Sequence, residues 1–468
     1  MRCPTWLHVK RRPHAAEESL VKQSSWTTAH AERLLWRAGF GARPNEIEHW
    51  AQRSRGHTID WLIRGGSGPH GTQRMVGPAP NADGKALDPN NEWGHDMLWW
   101  LDRMVRSQRP LVEKLTLFWH DHFATVDQDT PLMLAQNRML RGHALGSFRA
   151  LLQAVTLDPA MQGFLSLVDS DKRHPNENFA RELMELFTLG AGNGYSERDV
   201  REAARALTGF TGNWREGRPL SIRYEPDHHD DGVKRVLGRR GRLDWRDTLD
   251  ACIAHGAHAP FLVAKLWDFF VSEPLDRDTR RRLVATYRDS RHRIAPVVRE
   301  ILGHRALYAD LHDPRMVKAP IVHIAGLLRL VGRGVDDRAW TWISGQMGQQ
   351  PFRPPSVAGW DWGPAWMSTA TARSRFLAAT WIANDAPVKV QKGSVDVAWS
   401  PEEHVEQARA VTGRPWTSGA TDDELLKLAR RFLAHDVKPG DTVRAWQAEV
   451  TQSALRHLLL SGPDANLC

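Results

Sequence analysis

Apolar residues recur at helical spacing almost from one end of the chain to the other. Steps of three and four residues align on one face of a helix. They predict helices over 28–38, after Pro44, and over 93–107, 110–123, 132–152, 176–189 and 196–207. Further helices are predicted over 260–271, 278–289, 294–302 and 320–331, with two more closing the chain. Gly39, Gly41 and Pro44 supply stop and start signals early on. Residues 65–91 are rich in Gly, Pro, Asn and Asp and predict a long surface loop, while 345–366 is an irregular Pro/Gly/Trp stretch. Residues 221–224 and 233–237 flank a turn-rich segment and predict one β-hairpin. The expectation is a mainly α protein. One large multi-helix domain spans 28–385, with a small β-hairpin insertion at 211–245. A tail at 1–27 precedes it, and a polar connection at 386–421 leads to C-terminal helices at 422–468 that pack on the core. Leu115, Phe118, Trp119, Phe179, Leu183, Leu186, Phe187, Leu207, Leu266 and Trp267 are the expected core.

Polar residues that fall on or beside these apolar faces are the candidates for chemistry. In the helix over 110–123, Leu111, Leu115, Phe118 and Trp119 form one face, and His122 continues it. Asp121 lies on the flank, and His120 diverges from His122 by about 200°. In the helix over 176–189, Asn178, Glu182 and Glu185 form a stripe beside the apolar face, while Glu177 and Arg181 make an i,i+4 pair on the far side. Carboxylates at a core margin are costly unless paired, so Glu182 and Glu185 can face one cation or one arginine cluster. Gln136 and His143 share the inward side of a third helix. His229 and Asp230 sit in the presumed hairpin turn, with Lys234 close behind as a cation for an anionic group. Asp121, His122, Glu182, Glu185, His229 and Asp230 are thus candidate ligands for a divalent metal, and His122, Glu182 and Glu185 candidate acid/base residues. The chain has no H-E-x-x-H string, no P-loop, no nucleophile elbow and no dinucleotide-binding glycine motif, and Glu182-Leu183-Met184-Glu185 stands where a di-iron bundle would carry Glu-x-x-His. Ser196 to Asp199 resembles a helix-capping box and carries no chemistry.

Composition narrows the picture. The net charge of +8 comes from an excess of Arg that is spread along the chain rather than gathered in a stripe, so nucleic acid is not an expected partner. The three cysteines lie far apart, which excludes a disulfide framework and an all-cysteine metal site. The 21 Trp mostly fall at core spacing, which favours packing over ligand stacking. No apolar run reaches the roughly 18 residues of a membrane span. The first ten residues show no apolar leader, so the chain as given reads as cytoplasmic, and as exported if the true start carries one.

Several strings together resemble a known family. They are Arg33 to Gly41 (RLLWRAGFG), Glu113 to Phe123 (EKLTLFWHDHF) and Pro175 to Gly190 (PNENFARELMELFTLG). Asp199-Val200 through Phe210, and Pro354-Pro355-Ser356-Val357 with Gly359-Trp360, complete the set. They are similar to the bacterial family filed as domain of unknown function 1800, over nearly the whole chain. The resemblance implies no established activity or cofactor. Many members look exported, and many are encoded near an uncharacterised sulfatase-like family, which implies a partner of that kind. Arg181 joins the candidate acid/base residues because it lies within the most specific string. The readings that stand are an enzyme with a polar or divalent-metal site between helices, a non-catalytic helical scaffold or partner protein, and a haem-binding protein.

Overall fold

The computed structural model describes residues 26–64, 75–168, 170–215, 218–309, 311, 313–383, 396–398, 400–412, 419–432 and 442–468. The protein is mainly α. Twenty-one α-helices, one π-helical turn, three short 3-10 helices and four two-stranded antiparallel sheets make up the described regular structure. None of these helices is long and apolar enough to cross a membrane. Residues 1–25 of the expected tail and residues 65–74 of the expected loop lie outside the described residues.

Helix Pro110–His122 is the axis of the fold. Proline opens it, where a missing N–H is harmless. Every residue in it except Asp121 is buried. Two large apolar clusters meet across it. Leu111, Leu115, Phe118 and Trp119 join the first, with Phe148, Phe179, Leu183, Phe187, Leu262 and Leu266. Leu117 joins the second, with Trp36, Phe40, Trp100, Ile324, Leu328 and Trp360. A third, smaller cluster of Val405, Ala408, Leu425, Ala429, Leu455 and Leu459 lies in the C-terminal helices. Helix Pro401–Thr412 and strand Asp396–Ala398 fall in the stretch expected to be a polar connection.

Nine of the ten expected core residues are buried; Leu186 is only half-buried. The chain over Asn178–Glu182 starts as an α-helix and then widens into a π-helix over Leu183–Thr188. The i→i+5 turn rotates later residues, so Met184 replaces Leu186 in the core. The helix expected over 132–152 divides into Thr130–His143 and Phe148–Thr156. It breaks where Gly146 N–H turns back to the His143 carbonyl and Ser147 bridges Arg293.

The hairpin insertion forms, but with different partners. Ser221 to Tyr224 pair with Phe210 to Asn213, and Lys234–Val236 pair with Arg239–Gly241. The second hairpin closes on Leu237 and Gly238, at φ 49° and 83°. A two-residue turn with both φ positive matches the twist of adjacent strands, so local closure wins over the longer pairing.

One carboxylate anchors the axis from inside. Glu113 is fully buried and accepts from Arg141 Nε at 2.8 Å, Arg103 Nε at 3.1 Å and Trp100 Nε1 at 3.3 Å. Burial opposes its charge, but Arg141 and Arg103 outweigh that and hold its pKa below the usual range. Two outcomes are expected in denaturant titrations. Glu113→Gln strands two partly buried guanidiniums and should cost about 3–5 kcal/mol. Phe187→Ala should cost about 3–5 kcal/mol through the cavity it leaves.

Candidate functional site

Three consecutive polar side chains end the axial helix and leave in three directions. His120 enters the second cluster, between Trp100, Phe352 and Trp360. Its Nε2 accepts the Phe352 N–H at 3.0 Å, so its proton is on Nδ1. Asp121 turns to segment 349–366, accepting the Trp360 N–H at 2.8 Å and the Trp362 Nε1–H at 2.7 Å. His122 lies among Phe118, Trp119, Phe123 and Phe187. Its Nε2 meets the Phe187 carbonyl at 3.1 Å. A carbonyl only accepts, so Nε2 carries the hydrogen and Nδ1 is an acceptor.

The donor to that acceptor is Lys265 Nζ, at 3.2 Å. Lys265 stands on helix His258–Phe270, in a run of Leu262, Val263, Leu266, Trp267, Phe269 and Phe270. Its Nζ also lies 5.4 Å from the Phe261 ring. Burial lowers the lysine's pKa, and Asp121 only partly restores it. Burial, with the charge of Lys265 next in weight, holds His122 well below the usual imidazole range. Asp121 moves the other way. Burial pushes it up to about 6 against the two indole-residue hydrogen bonds and Lys265. Asp121, Lys265 and His122 therefore form one electrostatic group in which each charge is disfavoured.

The π-helix supplies a second imidazole anchor. His258 Nδ1 donates to the Thr188 carbonyl at 3.0 Å, and its Nε2 accepts from Tyr287 Oη at 2.9 Å. The end of a helix leaves carbonyls without intrahelical partners, and here neighbouring elements provide them.

The other predicted residues are placed elsewhere. The charges that act on Glu182 are Glu185 and Arg181, and burial together with Glu185 raises its pKa. The charges that act on His122 are those of Lys265 and His258. Arg181 pairs with Glu197 at 2.8 Å and Glu177 at 3.1 Å on the surface. The Asn178 N–H donates to Asn176 Oδ1 at the helix start. Gln136 is buried and donates to Asp158 at 2.8 Å and Thr125 at 3.1 Å. His143 is half-buried, and that burial lowers its pKa. His229 Nδ1 binds the Thr208 carbonyl at 2.9 Å, and Asp230 pairs with Arg205 at 2.7 Å. Lys234 donates to the carbonyls of Asp230, Gly232 and Leu243, which makes it an internal staple rather than a receptor for an anion.

Among the described residues no group of three His, Cys, Asp or Glu side chains is placed to hold a metal ion. Both ring nitrogens of His122 have hydrogen-bond partners, the Phe187 carbonyl and the Lys265 ammonium. Lys265, His258 and Trp362 were not singled out by sequence. The one available signal was a lysine alone inside an apolar helical run.

The buried imidazoles give a pH prediction. His120 is held at about 3 and His258 at about 4 by burial. Neither is expected to titrate in an NMR series from pH 7.5 to 5. Each favours the native state fully above the unfolded value near 6.5. Each loses that contribution as pH falls, because the unfolded chain takes a proton the native one refuses.

No functionally curated protein and no solved structure matches the chain. The match that exists is to a family model, and it spans nearly all of the sequence. The chain belongs to the family described as Protein of unknown function (DUF1800), which matches residues 33–466.

Proposed function

We propose that the protein is an enzyme whose acid–base group is Lys265, with His122 as its hydrogen-bond acceptor and Asp121 beside it. One observation supports this reading above others. The Lys265 ammonium donates to a neutral imidazole nitrogen. Lys265 is half-buried, and several buried cations among the described residues are capped by oxygen. Lys234 meets three carbonyls, Lys318 the Ala465 carbonyl, and Arg329 two carbonyls and Glu46. The imidazole carries no formal charge and offsets little of the burial that lowers the ammonium's pKa, so the free amine is easier to reach. In that form Lys265 can take a proton or attack an electrophilic carbon. The Phe187 carbonyl fixes the tautomer of His122, which keeps the Nδ1 lone pair directed at Lys265.

The test is the pH profile of lysine acylation, followed site by site by mass spectrometry of proteolytic peptides. Lys265 is expected to show a midpoint about one pH unit or more below that of exposed Lys85. Lys265→Met is expected to remove any turnover found in an activity screen while the melting temperature moves by only a few degrees. A Lys265 midpoint equal to that of Lys85 would sink the enzyme reading. So would a Lys265→Met chain that no longer folds, since a buried network in a scaffold protein accounts for that outcome.

A further inference from the structure

We infer that segment 349–366 is a strap that gates access to Lys265, with Trp362 as its flap and Asp121 as the positioning residue that holds it shut. This deepens the reading of Lys265 as the reactive group and assigns the approach route to it.

The strap is held by the last turn of the axial helix at two places. His120 takes the N–H of Phe352, and Asp121 takes those of Trp360 and the Trp362 indole. Phe352 sits at φ 67°, a left-handed conformation that is costly for a bulky side chain. A buried hydrogen bond at that residue helps to offset the cost. Gly359, at φ 83°, lies against Asp121 so closely that a Cβ would come within 2.4 Å of Oδ1. Only glycine allows the carboxylate to approach the strap backbone there. Gly363, at φ 70°, follows the flap. Pro351, Pro354, Pro355 and Pro364 stiffen the remainder, which leaves Gly363, directly after Trp362, as the freest point of the strap.

Trp362 is 37% exposed, although its indole is bonded at one edge and packed against Phe269 and Trp366. Phe269 is one helical turn from Lys265 on the same face. The flap therefore lies over the Lys265 side of that helix. One hydrogen bond and two ring contacts hold it. A side chain of this kind opens locally without disturbing the core, since Trp360 and Phe352 stay buried behind it.

The experiment measures the plateau rate of Lys265 acylation at high pH, where every lysine is deprotonated. That plateau reports access, whereas the midpoint of the profile reports the acid–base reading, so the two can fail separately. Trp362→Ala is expected to raise the Lys265 plateau about fivefold or more, leaving exposed Lys85 unchanged. Trp362→Phe keeps a ring but removes the indole donor, and should give a smaller rise. Asp121→Asn retains an acceptor for Trp360 but sets an amide donor against the Trp362 N–H, and should match Trp362→Phe. An unchanged Lys265 plateau in Trp362→Ala, or an equal rise at Lys265 and Lys85, overturns the gate. If Asp121→Asn leaves the plateau at the wild-type value, Asp121 is not what holds the flap.

Discussion

A helix buried on every side must find a partner for each polar atom it carries, and helix Pro110–His122 carries many. Glu113 draws Arg103, Arg141 and Trp100 inward. Lys114 reaches the Trp36 carbonyl and lies near the rings of Phe40 and Phe269. His120 holds Phe352, Asp121 holds Trp360 and Trp362, and His122 joins the π-helix to Lys265. Leaving any of these unpaired would cost the full desolvation of the group. The positions of six surrounding segments follow from that requirement.

The arginine excess also has a structural use. Arg37 donates to the Phe270 carbonyl, Arg33 to that of Leu307, and Arg375 to that of Lys318. Arg329 donates to the carbonyls of Gly41 and Val105, and Arg43 to those of Val105 and Ser107. Several of these carbonyls close helices, where backbone acceptors lack intrahelical partners and the dipole favours a cation. Most of these contacts join residues more than 200 positions apart in the chain. Guanidinium suits this work because it is planar, weakly hydrated and able to donate in several directions.

Around the axis the histidines hold opposite tautomers. His122 carries its hydrogen on Nε2, whereas His120 and His258 carry theirs on Nδ1. Each tautomer is set by one backbone group. All three are buried as neutral rings, so each presents one donor and one acceptor of fixed direction. The Lys265 contact depends on this, since a Nδ1-protonated His122 would meet the ammonium donor to donor.

Periodicity in the sequence determined the helices, most of the core and the divergence of His120 from His122, because helical geometry alone sets which residues share a face. The family resemblance was likewise legible in its strings. Leu186 went wrong because a π-turn changes the repeat without a compositional mark. The pairing of the strands went wrong because Leu237-Gly238 closes locally, a matter of backbone dihedral angles more than residue pattern. For Glu182 and Glu185, a margin stripe on one helix and His122 on another carried no information on whether they face each other. Tertiary structure instead gave His122 a lysine from a helix 143 residues away and gave Asp121 two tryptophans from a segment about 240 residues away. A helical repeat encodes direction relative to its own axis. The partner that waits in that direction is chosen by how the axes pack, and that depends on the whole chain at once.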